Sequence, residues 1–226
     1  MNATVADSPL EEARRAHLEE QFDEPDQQHS AASLGMWIFL ATEMLFFGVL
    51  FASYVVLRVL HPAGFAEASR ETDLLLGSGE TAALLTSSIT IVVALRAIKL
   101  GQRGVATLFL SLTAALGIGF LVIHGFEYHS EWEEHLVPGV RFLKFGPHAH
   151  AVELFEVMSY LLTGWHSIHL IIAVSVVLGL TWRVWRGAFG PDHFTTLELA
   201  ALYWHLVDII WMFIFPLLYL IGRAPG

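Results

Sequence analysis

Long apolar runs separated by short polar segments dominate the pattern of residues along the chain. Each run is close to the roughly 20 residues that a helix needs to cross a hydrocarbon core of about 30 Å. The pattern therefore predicts an all-α fold, a polytopic membrane bundle of about five transmembrane helices. The predicted helices span residues 34–60, 80–100, 105–126, 152–182 and 197–221.

The polar segments between the runs contain strong turn signals. His61-Pro62 closes the first helix, because proline lacks a backbone donor and disfavours helix in the residue before it. The stretch 101–104, Gly-Gln-Arg-Gly, predicts a tight turn between helices 2 and 3, and Gly190-Pro191 marks a turn before the last helix. The chain thus divides into an acidic polar N-terminal tail, residues 1–33, and a five-helix membrane domain, residues 34–226.

The N-terminal tail does not have the features of a targeting sequence. It carries eight of the 22 acidic residues and has no apolar centre, whereas a signal peptide has a basic start and an apolar core. Ser8-Pro9 predicts the start of a short surface helix that Pro25 ends. The first membrane helix is therefore expected to act as its own insertion signal.

Composition excludes several classes of protein. Hydrophobic residues make up 55% of the chain, a balance that soluble domains of this size rarely reach. There is no cysteine, so disulfides, iron–sulfur clusters, thiolate zinc sites and covalent c-type haem are excluded. The net charge of −10 argues against nucleic-acid binding.

The distribution of charge in the short loops predicts the orientation of the helices. The turn between helices 2 and 3 is basic, with Lys99 and Arg103, while the loop between helices 3 and 4 is acidic. Basic loops remain on the cytoplasmic side of a membrane. We therefore expect the N-terminus to be cytoplasmic and the C-terminus to lie outside.

Ionisable residues inside the apolar runs are the candidate functional residues, because a charge in lipid is costly. Glu43 lies about nine residues into helix 1, roughly 13 Å from its start at 1.5 Å per residue. His166 and His169 share a face of helix 4, and His205 and Asp208 share a face of helix 5. A packed bundle is expected to bring Glu43, His166 or His169, and His205 with Asp208 into one buried polar cluster. A network that fixes helix register and a proton-handling site both remain open.

Histidines on two helices raise a cofactor alternative. His166 and His205 are candidates for the axial ligands of haem in a stand-alone b-type cytochrome. A diiron bundle needs Glu-x-x-His patterns, and none occurs on a predicted membrane helix. No nucleophile triad or phosphate-binding loop is present either, so no catalytic residue and no metal site is predicted.

Four motifs, in order and correctly spaced over residues 34–222, resemble subunit III of the haem-copper respiratory oxidases, the cytochrome c oxidase family. The apolar segment around Glu43 resembles the third helix of the seven-helix form, and the others resemble segments of its later helices. The motif residues beside the polar candidates are Thr42, Phe46 and Phe47; Glu127 and Tyr128; Thr163 and Gly164; Trp204 and Trp211. The family's first two helices have no counterpart here, so the chain resembles the five-helix bacterial form.

The resemblance implies a non-catalytic subunit that packs on catalytic subunit I and supports its stability, sustained turnover and proton uptake. It implies that this chain binds no haem or copper, which belong to partner subunits, and that phospholipid binds to it. Subunit II and further small subunits are the other implied partners, in a bacterial inner membrane. Glu43 matches the family's deep, carbodiimide-reactive carboxyl. An accessory subunit of a quinol oxidase or of a nitric-oxide-reductase complex stays open, because the electron-donor site lies in other subunits.

Overall fold

A computed structural model describes residues 24–139, 141–143, 145–187, 189 and 194–223. The predicted surface helix that starts at Ser8 and the turn at Gly190-Pro191 lie outside the described residues. The described part is almost entirely helical and confirms an all-α membrane bundle, with five helices long and apolar enough to span a membrane. The helices are α1 (Pro25–Leu60), α2 (Pro62–Glu71), α3 (Leu74–Lys99), α4 (Arg103–Glu133), α5 (Ala149–Trp185) and α6 (Thr195–Phe215).

The spanning helices extend beyond the apolar windows that predicted them. α1 begins at Pro25 rather than Leu34, with proline at its first position, where the fixed φ angle suits a helix and no donor is lost. α4 continues to Glu133 rather than Phe126. Apolar composition marks the part of a helix that lies in lipid, whereas the backbone continues in helical form through polar residues until a stop signal.

The segment between α1 and α3 contains an amphipathic helix that was predicted only as a loop. α2 buries Phe65, Ala68 and Ser69 against the rest of the protein. Ser69 Oγ donates to the carbonyl oxygen of Leu218 at 2.7 Å and accepts from the backbone N–H of Gly222 at 3.1 Å. α2 is short and weakly apolar, so a search for membrane-length runs does not detect it.

The segment between α4 and α5 contains a small antiparallel hairpin that was not predicted. β1 (Leu136–Val137) pairs with β2 (Arg141–Phe142), with Leu136 opposite Phe142. Gly139 has a φ of +74°, a conformation that glycine adopts without steric cost. The hairpin packs on α4 and α5 at the same end of the bundle as α2.

α3, α4, α5 and α6 form a four-helix core, and α1 lies at its side against α5 and α6. The surface of the bundle is apolar, as expected for a protein in lipid. α1 is the least covered helix, and Leu45, Val49 and Val59 on it are each about 70% exposed. Most of α1 therefore remains available to lipid or to another subunit.

The last helix changes form at Pro216, which cannot donate a backbone hydrogen bond. A π-helical turn over Pro216–Leu220 and a 3₁₀ turn over Ile221–Arg223 follow α6. Carbonyl groups at a helix end lack partners within the helix. The hydroxyl of Tyr54 on α1 donates to the carbonyl oxygen of Leu217 at 2.5 Å, so α1 supplies one of the missing partners.

One glycine sets the distance between α4 and its neighbours. A Cβ atom added at Gly117 would lie 2.8 Å from a ring carbon of Trp204 and 2.8 Å from a methyl carbon of Val174. A Cβ at Gly119, two residues further along α4, would meet nothing within 4 Å. Small residues at such contacts let helices approach closely in lipid.

Candidate functional site

Glu43 on α1 pairs with a histidine on α5. Its Oε2 atom lies 2.9 Å from Nε2 of His169, and the two side chains are 18% and 11% exposed. Nδ1 of the same imidazole lies 2.8 Å from the carbonyl oxygen of Trp165. A carbonyl oxygen can only accept, so Nδ1 carries a hydrogen.

A hydrogen bond between Glu43 and His169 requires one hydrogen between their side chains. If the imidazole is neutral, its lone pair is on Nε2 and the carboxyl of Glu43 must be protonated to donate. If the carboxyl is ionised, the imidazole must carry a hydrogen on both nitrogens. In both forms the pair is neutral overall and one hydrogen lies between the two side chains. The pair can therefore move a proton between its members without leaving a net charge in the membrane.

Aromatic rings surround this pair. Phe47 meets the imidazole of His169 edge to face at 5.4 Å, and Phe46 meets Trp165 in the same way at 5.4 Å. The hydroxyl of Tyr203 on α6 donates to the backbone carbonyl of His169 at 3.3 Å. Thr42, the motif residue before the carboxyl, donates to the Phe39 carbonyl of its own helix at 2.7 Å. The motif thus places one polar pair among aromatic side chains.

His205 and Asp208 on α6 form a second polar group with α3, separate from Glu43. The hydroxyl of Ser88 donates to Oδ2 of Asp208 in a short hydrogen bond and lies 3.1 Å from Nδ1 of His205. A serine hydroxyl has one hydrogen, so Nδ1 of His205 is the donor in the second contact. Within the described residues, Oδ1 of Asp208 has no hydrogen-bond partner.

Two tryptophans extend this contact along the same face of α6. The indole N–H of Trp204 donates to Ser87 Oγ at 2.9 Å, and that of Trp211 donates to Thr81 Oγ1 at 3.0 Å. Both rings are fully buried. Hydroxyl groups of α3 thus accept from two tryptophan donors that are seven residues, or two turns, apart on α6. This arrangement fixes the register of the two helices.

His166 joins neither polar group. It is fully buried, and neither of its ring nitrogens has a hydrogen-bond partner in the described part of the chain. Its ring centre lies 5.1 Å from that of Trp211 and 5.5 Å from that of Phe120. These rings pack directly on the imidazole, as in a core histidine. The geometry therefore gives no support to a pair of haem ligands at His166 and His205.

The motif residues of α4 and α5 meet near one end of the bundle. The Tyr128 hydroxyl lies 2.6 Å from Thr163 Oγ1, which itself donates to the Ser159 carbonyl at 2.8 Å. The tyrosine is therefore the donor to the threonine. Gly164 is not a tight contact, because an added Cβ would have its nearest neighbour, the Tyr128 hydroxyl oxygen, at 3.6 Å.

A third polar cluster contains a residue that sequence reasoning did not select. Glu80 on α3 is fully buried, and its Oε1 atom lies 3.4 Å from Nδ1 of His124 on α4. The same Nδ1 lies 3.2 Å from Oε2 of Glu127, which accepts from the Tyr219 hydroxyl at 3.0 Å. The predicted helix 80–100 begins at Glu80, a position at which the side chain would be exposed to water. The N-cap at Asp73 starts α3 earlier and places Glu80 inside.

Comparison with known proteins identifies the family. The family model for cytochrome c oxidase subunit III matches residues 27–223. Cytochrome c oxidase subunit 3 of Thermostichus vulcanus is 34% identical over 192 residues, covering 84% of this chain and 87% of that protein. Cytochrome c oxidase subunit 3 of Bacillus subtilis is 33% identical over 197 residues, covering 84% of this chain and 86% of that protein.

A quinol oxidase subunit is similar to the same extent. Cytochrome bo(3) ubiquinol oxidase subunit 3 of Pseudomonas aeruginosa is 31% identical over 188 residues, covering 83% of this chain and 84% of that protein. The resemblance drawn from the four motifs is thereby confirmed. With its five apolar helices matched almost from end to end, the chain belongs to the cytochrome c oxidase subunit III family, the subunits III of the haem-copper oxidases.

Proposed function

We propose that this chain is the non-catalytic subunit III of a haem-copper terminal oxidase that reduces oxygen to water in aerobic respiration. The match to the family over residues 27–223 carries the proposal. The chain packs on catalytic subunit I, with subunit II and smaller subunits in the same complex. Haem and copper belong to the partners, and this chain contributes stability, sustained turnover and support of proton uptake. Its N-terminal tail lies in the cytoplasm of a bacterial cell and its C-terminus outside.

The exposed face of α1 supports a role within an assembly. Large apolar side chains on this helix remain uncovered by the rest of the chain. In the membrane, phospholipid or a partner helix covers such a face. Relatives that are named as cytochrome c oxidase and as ubiquinol oxidase subunits are similar to this chain to the same extent. Both electron donors are therefore compatible with this chain, and the companion subunits determine which one is used.

Purification of the full-length chain in mild detergent tests the proposed assembly. We expect a larger subunit to copurify and to carry all the haem absorbance, with mass spectrometry identifying that subunit and its companions. Oxygen consumption with reduced cytochrome c and with ubiquinol then identifies the donor. A chain that is purified alone and carries haem of its own would contradict the proposal and favour a stand-alone cytochrome.

The Glu43–His169 pair is the residue-level basis for the proposed support of proton uptake. Glu43→Gln keeps the hydrogen bond, since the amide N–H can donate to Nε2 of His169, but it removes the transferable proton. We expect the variant complex to assemble at normal yield and to start at a normal rate. We then expect oxygen consumption to decline several-fold faster over successive turnovers.

The matched control for this variant is Thr42→Val, which removes the neighbouring hydroxyl that donates to the Phe39 carbonyl of its own helix. It is expected to leave both assembly and turnover unchanged. Stable activity of the Glu43→Gln complex over many turnovers would contradict proton handling by this pair. The pair would then serve only to hold α1 against α5.

A further inference from the structure

Three side chains that can bind a metal ion meet between α3 and α4. Glu80 and His124 face each other across the two helices, and Glu127 lies three residues after the histidine on the same face of α4. One donor atom from each residue lies within 4.8 Å of the donor atoms of the other two. Glu80 is 0% exposed and His124 is 5% exposed, so both are buried, and the side chain of Glu127 is 10% exposed.

The hydrogen bonding of this cluster is incomplete. Within the described residues, neither carboxylate oxygen of Glu80 has a hydrogen-bond partner, although both are buried. A buried carboxylate that accepts no hydrogen bond is costly, so such groups are normally paired with a charged side chain or bound to a cation. The carboxylate of Glu80 has the His124 ring nitrogen at 3.4 Å. Two carboxylates and a neutral imidazole carry a charge of minus two. A divalent cation would neutralise that charge completely.

The spacing of the donor atoms fits a tetrahedral site. Ligands about 2.0–2.1 Å from a tetrahedral Zn²⁺ lie about 3.4 Å apart. Nδ1 of His124 lies 3.4 Å from Oε1 of Glu80 and 3.2 Å from Oε2 of Glu127. The donor atoms of the two carboxylates lie within 4.8 Å of each other.

We propose that Glu80, His124 and Glu127 form a binding site for a divalent transition-metal ion, best matched by Zn²⁺. Imidazole suits zinc, whereas calcium and magnesium prefer sites made only of oxygen. The Tyr219 hydroxyl donates to both oxygens of Glu127, at 3.3 and 3.0 Å. It therefore orients this carboxylate from outside the ligand set. The fourth position of the tetrahedron is left for water.

A cavity of about 300 Å³ gives an ion access to the cluster. His124, Glu127 and Tyr219 are among the residues that line this cavity. Its walls carry further acidic residues, and a cleft lined by one sign of charge concentrates ions of the opposite sign. These acidic residues are Glu71, Asp73, Glu131, Glu134 and Glu156.

The test uses the detergent-solubilised oxidase complex that contains the full-length chain. After equilibrium dialysis against Zn²⁺, metal analysis is expected to show one more zinc per complex in the wild type than in Glu80→Gln. Loss of a ligand is expected to weaken affinity more than about 100-fold, and Tyr219→Phe about 10- to 100-fold. The control Glu134→Gln removes an equal charge from the same cavity without removing a ligand, and should keep the zinc.

Anomalous X-ray scattering at the zinc edge tests the site in the wild-type complex even if a variant fails to assemble. An anomalous peak between Glu80, His124 and Glu127 supports the proposal. Equal zinc binding by the wild type and Glu80→Gln, or zinc found only at other positions, would overturn it. Either of these results would leave the cluster as a polar contact between α3 and α4 that binds no metal ion.

Discussion

Replacing Trp204 with alanine is expected to cost about 3 kcal/mol of stability and to remove most of the assembled protein from the membrane. The ring is fully buried, and its N–H donates to Ser87 Oγ at 2.9 Å. The estimate is at the lower end of the range for tryptophan in soluble cores. In a membrane the unfolded chain is also surrounded by apolar lipid, so burying the ring gains little from the hydrophobic effect. The cost of the substitution is then mainly the cost of the cavity that it leaves. Yield in the membrane and thermal unfolding in detergent measure the effect.

Two variants separate the possible causes of this loss. Trp182→Ala removes a ring that is 55% exposed and should change the unfolding temperature little. Trp204→Phe keeps most of the ring but removes the hydrogen bond to Ser87, so its expected cost is the roughly 0.5–1.5 kcal/mol of one such bond. Equal losses from Trp182→Ala and Trp204→Ala would show that burial inside the bundle is not the cause.

Gly117→Ala is expected to destabilise the protein by about 1–3 kcal/mol, because its Cβ would overlap Trp204 and Val174. Overpacking at this point forces α4 away from α5 and α6. Helix propensity alone would make Gly117→Ala stabilising by up to about 1 kcal/mol. The expected change in stability has the opposite sign. The yield and unfolding temperature of the variant measure the cost.

Gly119→Ala is the matched control on the same helix. Its Cβ would have open space around it, so we expect neutral or slightly raised stability. A loss in both variants would mean that glycine is needed for a reason other than the contact with Trp204. A gain in both would mean that the rings beside Gly117 move aside without cost.

Much of the fold was predictable because lipid imposes a strong constraint on sequence. A helix that crosses a membrane needs a long apolar run, and the five runs are present. The amphipathic helix α2 was missed because Phe65 and Ala68 bury against other parts of the chain rather than in lipid. The hairpin of Leu136 and Phe142 was missed because strands of two residues leave no periodic signal.

The sequence predicted which polar residues lie inside the bundle better than it predicted which of them contact one another. Spacing placed His205 and Asp208 on one face of a helix, and both contact Ser88. The expected single cluster separates in the structure, since Glu43 bonds to His169 whereas His166 packs among aromatic rings. Periodicity determines which residues share a face, but the rotation and depth of one helix against another depend on long-range packing.

Glu43 can form its hydrogen bond to His169 only after a long delay during synthesis of the chain. The histidine that bonds to it lies 126 residues later in the chain. At about 5–20 residues per second, the ribosome needs roughly 6 to 25 s to reach it. Two other hydrogen bonds of α1, one between His29 and Thr195 and one from Tyr54 to Leu217, also form only after the last helix has been synthesised. The first helix therefore enters the membrane before the histidine that pairs with its carboxyl has been synthesised.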